Sequence, residues 1–291
     1  MKNSIFEMDS EEEYLEYNSQ SKIDINEINK YGKTALFNKP YHHASWLIKH
    51  GINIHQINEG GSNVLFDADY ETSRLLIERK ININQKNLSG QTTLFFTHDF
   101  EKAELLIKAG VDINARDKHG NNILMYSTEN LAPLYIESGV DIHAINDNGE
   151  NSLFHFSQTP EIAKILINKN INIHQINTDG ENALFDADVE VSKILLSLGV
   201  NVKQKSHAGE DVITYADFEK TKLLINELDD FSFYTEEKIN ELEVDEYDTF
   251  TPEKRALIET KLAEIKAQNE KQTILNSLKE IPSENKIAKR L

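Results

Sequence analysis

Seven glycines recur at nearly constant spacing: Gly32, Gly61, Gly90, Gly120, Gly149, Gly180 and Gly209, in steps of 29, 29, 30, 29, 31 and 29 residues. Each is followed within four residues by an apolar residue that opens a short helix-like stretch. A period of this size describes an array of supersecondary units, each burying its apolar face only against its neighbours. Such arrays grow linearly, so the 291 residues need not divide into the compact domains that a chain of this length otherwise forms. They also present long open surfaces, which puts binding ahead of catalysis as the function to test.

Every column of the unit has a physical reason. Two residues after each glycine stand Thr34, Asn63, Thr92, Asn122, Asn151, Asn182 and Asp211, all good acceptors for the orphan amides of a helix start. A second set of caps follows, Asp69, Asp99, Thr128, Thr159, Asp188 and Asp217, with Thr159-Pro160-Glu161 the clearest. The pattern predicts a very short first helix and a second of about three turns, carrying triplets such as Leu75-Leu76-Ile77. Gly51, Gly110, Gly139 and Gly199 end the second helix in the left-handed conformation; Lys80 and Asn170 replace glycine there, and Lys80 is expected to be mildly strained. Dyads such as Val-Asp-Ile then lead into an extended arm and a turn.

The G-x-T-x-L start, the L-L-x-x-G stop and the arm from Gly110 to Asn114 together resemble the ankyrin repeat over about residues 29 to 228. The resemblance implies an all-α solenoid with short extended arms, and protein recognition against the arm tips, the first helices and the concave face. Three features depart from the family. Proline is missing from the usual T-P-L-H start. The usual histidine is Phe37, Phe66, Phe95, Phe154 or Phe185, with Met125 and Thr214 in the other two units. Four residues are missing relative to the 33-residue family repeat. The phenyl rings are expected to form an apolar column between neighbouring units.

Composition narrows the partner. A formal charge of −18 disfavours nucleic acid, where affinity comes from Lys and Arg, and favours a basic protein surface or mere solubility. No cysteine is present, no apolar run approaches a membrane span, and the N-terminus is acidic where a secretory signal is basic and then apolar. The expectation is a cytoplasmic chain, with signal-independent export left open. No P-loop, G-x-S-x-G or dinucleotide fingerprint is visible, so neither an enzyme nor a cofactor is expected. A metal is not expected either. His55, His143 and His174 lie one per repeat along the array, and in Asp67-Ala68-Asp69 and Asp186-Ala187-Asp188 one carboxylate is already a cap.

Candidate partner-binding residues come from two places. Among the tips flanking each glycine, the early ones are neutral or basic and the late ones acidic, which singles out Tyr31, Asp147, Glu150, Asp179, Glu181 and Glu210. On the first helix, the residue after the phenylalanine column mixes aromatic and acidic types: Asp67, Phe96, Tyr126, His155, Asp186 and Tyr215. A solvated face is the competing reading of the tips. Reversing Glu150, Glu181 and Glu210 to lysine is expected to weaken partner binding and to leave the melting temperature nearly unchanged.

A longer period overlies the first. Leu65-Phe66-Asp67-Ala68-Asp69 recurs as Leu184-Phe185-Asp186-Ala187-Asp188, and Asp99-Phe100-Glu101-Lys102 as Asp217-Phe218-Glu219-Lys220, at offsets of 119 and 118 residues. Duplication of a four-repeat block is the simplest account; one binding element presented twice is the sharper one. Residues 1–28 read as a degraded capping unit, 29–228 as seven repeats, and 229–291 as an acidic linker with a helix from Thr251-Pro252-Glu253 to about Lys279 that covers the last repeat or binds a partner helix. The function expected is stoichiometric recognition of a protein partner, as a monomer or a 1:1 complex. The roles in view are an immunity protein masking a basic toxin, a secreted effector, or an intracellular adaptor. The rival is an enzyme with its site in the C-terminal segment.

Overall fold

The computed structural model describes residues 4–8, 10–20, 23–228, 234, 235, 237, 239 and 251–279. Most of the acidic run after Glu227 and the basic tail at Lys286, Lys289 and Arg290 lie outside these residues. The chain divides into two compact units, residues 1–172 and 173–291. Unit 1 contains α1 (Glu11–Gln20), α2 (Tyr41–Lys49), α3 (Tyr70–Glu78), α4 (Phe100–Lys108), α5 (Ala132–Glu137), α6 (Ser152–His155) and α7 (Pro160–Asn168). Unit 2 contains α8 (Val189–Ser197), α9 (Phe218–Leu224) and α10 (Pro252–Lys279).

The first helix of each repeat is shorter than expected. It is a single 3₁₀ turn at Val64–Phe66, Thr93–Phe96 and Ile123–Tyr126, and a single α turn at α6. Asparagine is the better cap because it bonds twice. Asn63 Oδ1 accepts the Leu65 N–H at 3.1 Å while its Nδ2 donates to the Asn82 carbonyl at 2.8 Å, pinning the turn to the following arm. Asn122, Asn151 and Asn182 repeat both bonds. A threonine hydroxyl cannot span the two, and Thr34 and Thr92 are buried with Oγ1 unpartnered, against the expectation that they cap.

The second helices start as read at Asp69, Asp99, Asp188 and Asp217, whose carboxylates accept the amide three residues on at 2.6–2.7 Å. Thr159, expected to be the clearest cap, makes no side-chain cap bond; proline alone starts α7. Two columns then bury completely. Four residues past the cap position stand small residues, Ala44, Ser73, Ala103, Ala132 and Ala163 in unit 1 and Ser192 and Thr221 in unit 2, each 0% exposed. Three further on come Leu47, Leu76, Leu106, Tyr135, Leu166, Leu195 and Leu224. Small side chains bring the helix backbones close, and the leucines fill the layer between them.

Lys80 and Asn170 take φ near +60° at the helix stop, as the glycines do. The stop tolerates this because a Cβ at Gly110 would meet nothing within 4 Å. The tip is different. A Cβ at Gly61 would lie 3.0–3.2 Å from the backbone of Asn87 and Leu88 in the next arm. Successive arms touch there: Glu59, Leu88, Lys118 and Asp147 each donate N–H to the tip before at 2.8–3.0 Å, and in unit 2 His207 donates to Asp179 at 2.7 Å. Among the described residues the arms hold no strand, only turns and one isolated bridge, Ile176 to Asn182.

The phenylalanine column is interior. Phe37, Phe66, Phe95 and Phe185 are buried with Met125 and Thr214, while Phe154 is half-buried. In unit 2, α10 packs against α9 and opens in the register of a repeat: Thr251 accepts the Lys254 N–H, and Ile258, seven past that cap, is fully buried. Beyond Leu262 most of α10 is exposed, including Ile274 and Leu275. No described helix is long and apolar enough to cross a membrane.

Candidate functional site

In unit 1 the column after the phenylalanines is exposed along its length. The 3₁₀ turn ends there, so no second turn covers it. Phe96 is 45% and Tyr126 44% exposed, and Asp67 and His155 are exposed with them. Each is nonetheless held. Phe96 packs its ring 5.5 Å from Phe66, and Tyr126 sits at the same distance from Phe95. The Tyr126 hydroxyl donates to Asp117 at 2.7 Å. Lys33 pairs with Asp67 at 3.2 Å, and a ring N–H of His155 donates to the Ser127 carbonyl at 3.1 Å.

The electrostatics follow from these bonds. Burial pushes the Asp117 carboxyl up, but donors from Tyr126, His119 and Asn121 outweigh it, and the group lies below the usual carboxylate range. Burial and the Asp117 acceptor raise the Tyr126 hydroxyl, which therefore keeps its proton and its place. In unit 2, Tyr215 is 48% exposed beside Phe185 and donates to Glu210 at 2.6 Å, with its pKa raised by burial and then by Glu210. Asp186 is exposed nearby in the same unit.

The tips separate into two kinds. Tyr31, Asp147 and Asp179 are exposed, Tyr31 beneath the Lys30 ammonium at 4.9 Å. Glu150, Glu181 and Glu210 are half-buried and tie their own turns: Asn146 donates to Glu150 at 3.0 Å, Asn177 to Glu181 at 3.1 Å, and Tyr215 to Glu210. Burial, with Asp186, Asp179 and Glu210 nearby, raises the Glu181 carboxyl against the Asn177 bond.

The duplicated block has a structural content that its sequence did not disclose. Lys102 is buried and donates to the carbonyls of Leu65 and Ala68 at 3.3 and 2.6 Å; Lys220 is buried and donates to that of Phe185 at 2.9 Å. Lys254, at the same register of α10, donates to Thr214 and Ala216 at 3.1 and 2.6 Å. The recurring Asp-x-x-Lys thus clasps the end of the preceding repeat's first turn. Other columns missed in the sequence are Asn26, Asn84 and Asn114, whose side chains accept the amide of the next arm at 2.6–2.7 Å. Leu88, a tip residue, is 79% exposed. Among the described residues no cluster of histidine and carboxylate side chains could hold a metal ion.

No protein-family model matches the chain, and no curated protein sequence does. In structure, the ankyrin repeat domain of human ASB11 matches with a TM-score of 0.58 over 65% of this chain and 94% of that one, at 17% identity. That likeness agrees with the capped 29-residue unit, the clasped turns and the touching arm tips: this chain has the all-α ankyrin-repeat fold.

Proposed function

We propose that the protein is a non-enzymatic scaffold that recognises another protein through the exposed column and the arm tips. The observation that carries this is the state of Phe96 and Tyr126. Both residues are exposed, yet both are fixed by neighbouring rings and, for Tyr126, by a carboxylate. An exposed aromatic already locked in one pose loses little entropy on binding, which is what interface hot spots require.

The charge of −18, with Asp67, Asp147, Asp179 and Asp186 exposed beside the column and tips, supports a partner with a basic surface. Masking a basic toxin, as an immunity protein does, fits that charge best. An effector or adaptor would use the same surface on another partner. Against the enzyme reading, the cavity of about 250 Å³ beside α10 is lined by Tyr234, Ile239, Arg255, Glu259 and Leu262, and its carboxylate is taken by Arg255 at 2.7 Å.

The test is affinity capture from the native cell with the intact chain and with Phe96→Ser/Tyr126→Ser. The intact chain should retain a partner in fixed stoichiometry, and the salt dependence of retention should be steep. The double variant should lose it while still unfolding cooperatively, its transition lowered only by the lost ring contacts and the Tyr126–Asp117 bond. Equal capture by the folded double variant would refute the reading.

A further inference from the structure

Two departures from the repeat fall opposite each other in unit 1. Pro133 lies in the first turn of α5, where its ring excludes helix upstream, so α5 begins four residues after Thr128 and residues 129–131 stay as turn. In the next repeat, ten residues rather than eight separate Gly149 from Thr159, as against Gly61 and Asp69, and the extra length carries Phe156 into the core at 2% exposure. Between them opens a cavity of about 430 Å³ lined by Ser127, Thr128, Glu129, Asn130, His155, Phe156 and Thr159. No other described repeat combines a missing helical turn with a lengthened loop.

The lining mixes apolar surface with polar side chains, of which Thr128, Glu129 and Asn130 are exposed to solvent. Among the described residues, the side chains of Thr128, Glu129, Asn130 and Thr159 accept no hydrogen bond, and Glu129 pairs with no cation. The carbonyl of Ser127 can only accept, so the His155 nitrogen facing it carries the proton, and in the neutral ring the other nitrogen is an acceptor. His155, exposed and braced edge-on against buried Phe156 at 4.7 Å, gives the cavity one aromatic ring. One free carboxylate, several neutral acceptors and one aromatic ring, with no cation in the lining, describe a receptor for a positive, planar, multi-donor group. A guanidinium meets those terms better than an ammonium, because its fork matches carboxylate and amide acceptors and its face stacks on rings.

We infer that this cavity receives an arginine side chain of the partner protein. The inference rests on the protein-binding reading and names where the basic surface engages. The cavity adjoins Tyr126 and His155, so an arginine seated there would lie beside the exposed aromatic column.

The probe is Nα-acetyl-arginine methylamide, titrated into the isotope-labelled full chain and followed by amide chemical shifts. Saturable shifts confined to residues 127–130 and 155–159 are expected. The neutral citrulline derivative and the Glu129→Gln chain should each bind about tenfold more weakly, with the rest of the Glu129→Gln spectrum unchanged. Shifts that fail to saturate, fall elsewhere, or are matched by citrulline would overturn the site, and equal binding of the lysine derivative would overturn the guanidinium. The two readings fail separately. If arginine binds but Phe96→Ser/Tyr126→Ser leaves capture intact, the cavity stands and the scaffold surface falls. If capture depends on those aromatics but arginine does not bind, the reverse holds.

Discussion

The buried lysines make stability depend on pH in an unusual direction. Lys220 and Lys254 are 4% and 0% exposed and donate to backbone carbonyls. Desolvation dominates, and it lowers each from the ordinary 10.5 to about 8, with repulsion between the two adding to the fall at Lys254. For a base, a folded pKa below the unfolded one means that folding expels a proton between the two values. Below pH 8 each lysine therefore holds stability down by about 3 kcal/mol, and that cost is relieved as pH rises toward 10.5. Lys102 is lowered by burial in the same sense and adds to the rise. The chain has no cysteine, and histidine side chains ordinarily titrate near ~6.5, below this window. Tyr126, Tyr135, Tyr215 and Tyr234, all with raised pKa, begin to oppose the trend only above about pH 10. Urea unfolding at pH 7, 8, 9 and 9.8 should show stability increasing across the series. In Lys220→Met/Lys254→Met the increase should shrink to the part that Lys102 supplies. A wild-type stability that stays level or falls between pH 8 and 9.8, or a rise left undiminished by the double substitution, would refute the argument.

The remaining predictions separate the roles of single columns. Phe66→Ala should destabilise by about 3–5 kcal/mol in denaturant unfolding, and Phe154→Ala by roughly half as much because Phe154 is only half-buried. Gly110→Ala should cost about 1 kcal/mol for its left-handed φ alone, while Gly61→Ala should cost more, since its Cβ would press on the backbone of Leu88 at 3.0 Å. Lys80→Gly should raise stability by about 1 kcal/mol by removing strain at φ +60°. Reversing Glu150, Glu181 and Glu210 to lysine should weaken the basic partner's binding, but it should also lower the melting temperature. Each removes a tip bond of about 0.5–1.5 kcal/mol, which corrects the expectation of an unchanged transition.

The period and the chemistry of the caps were enough to read the unit, because those positions carry residues whose backbone requirement is nearly unique. Asp69, Asp99, Asp188 and Asp217 announce helix starts through the acceptor they place, and the glycine tips through their positive φ. What the sequence hid were bonds that run between repeats. Nothing in the letter Asn distinguishes Asn63, which bonds a turn and an arm together, from a surface asparagine. Nothing in the letters marks Lys102 and Lys220 as buried, yet their ammonium groups end on main-chain carbonyls of the repeat before. The two-residue excess in the Gly149 to Gly180 step and the proline at 133 were visible; that they face each other was not.

Recurrence and function pull on different residues, and this orders the surface. A residue that recurs every 29 positions does so because its neighbour in the next repeat demands it, as the small residues from Ala44 to Ala163 do in their 0% exposed column. Such a position cannot also be shaped to one partner. The duplicated Asp-x-x-Lys is of this kind: its lysines are consumed by the carbonyls of Leu65, Ala68 and Phe185, so two copies of the motif do not make two binding elements. Specific recognition must come from places where the pattern is broken yet the side chain is still held. On the proposed reading, that condition is met in unit 1 at Phe96, Tyr126 and His155. Substitutions there should change which partner binds and leave the stack itself intact.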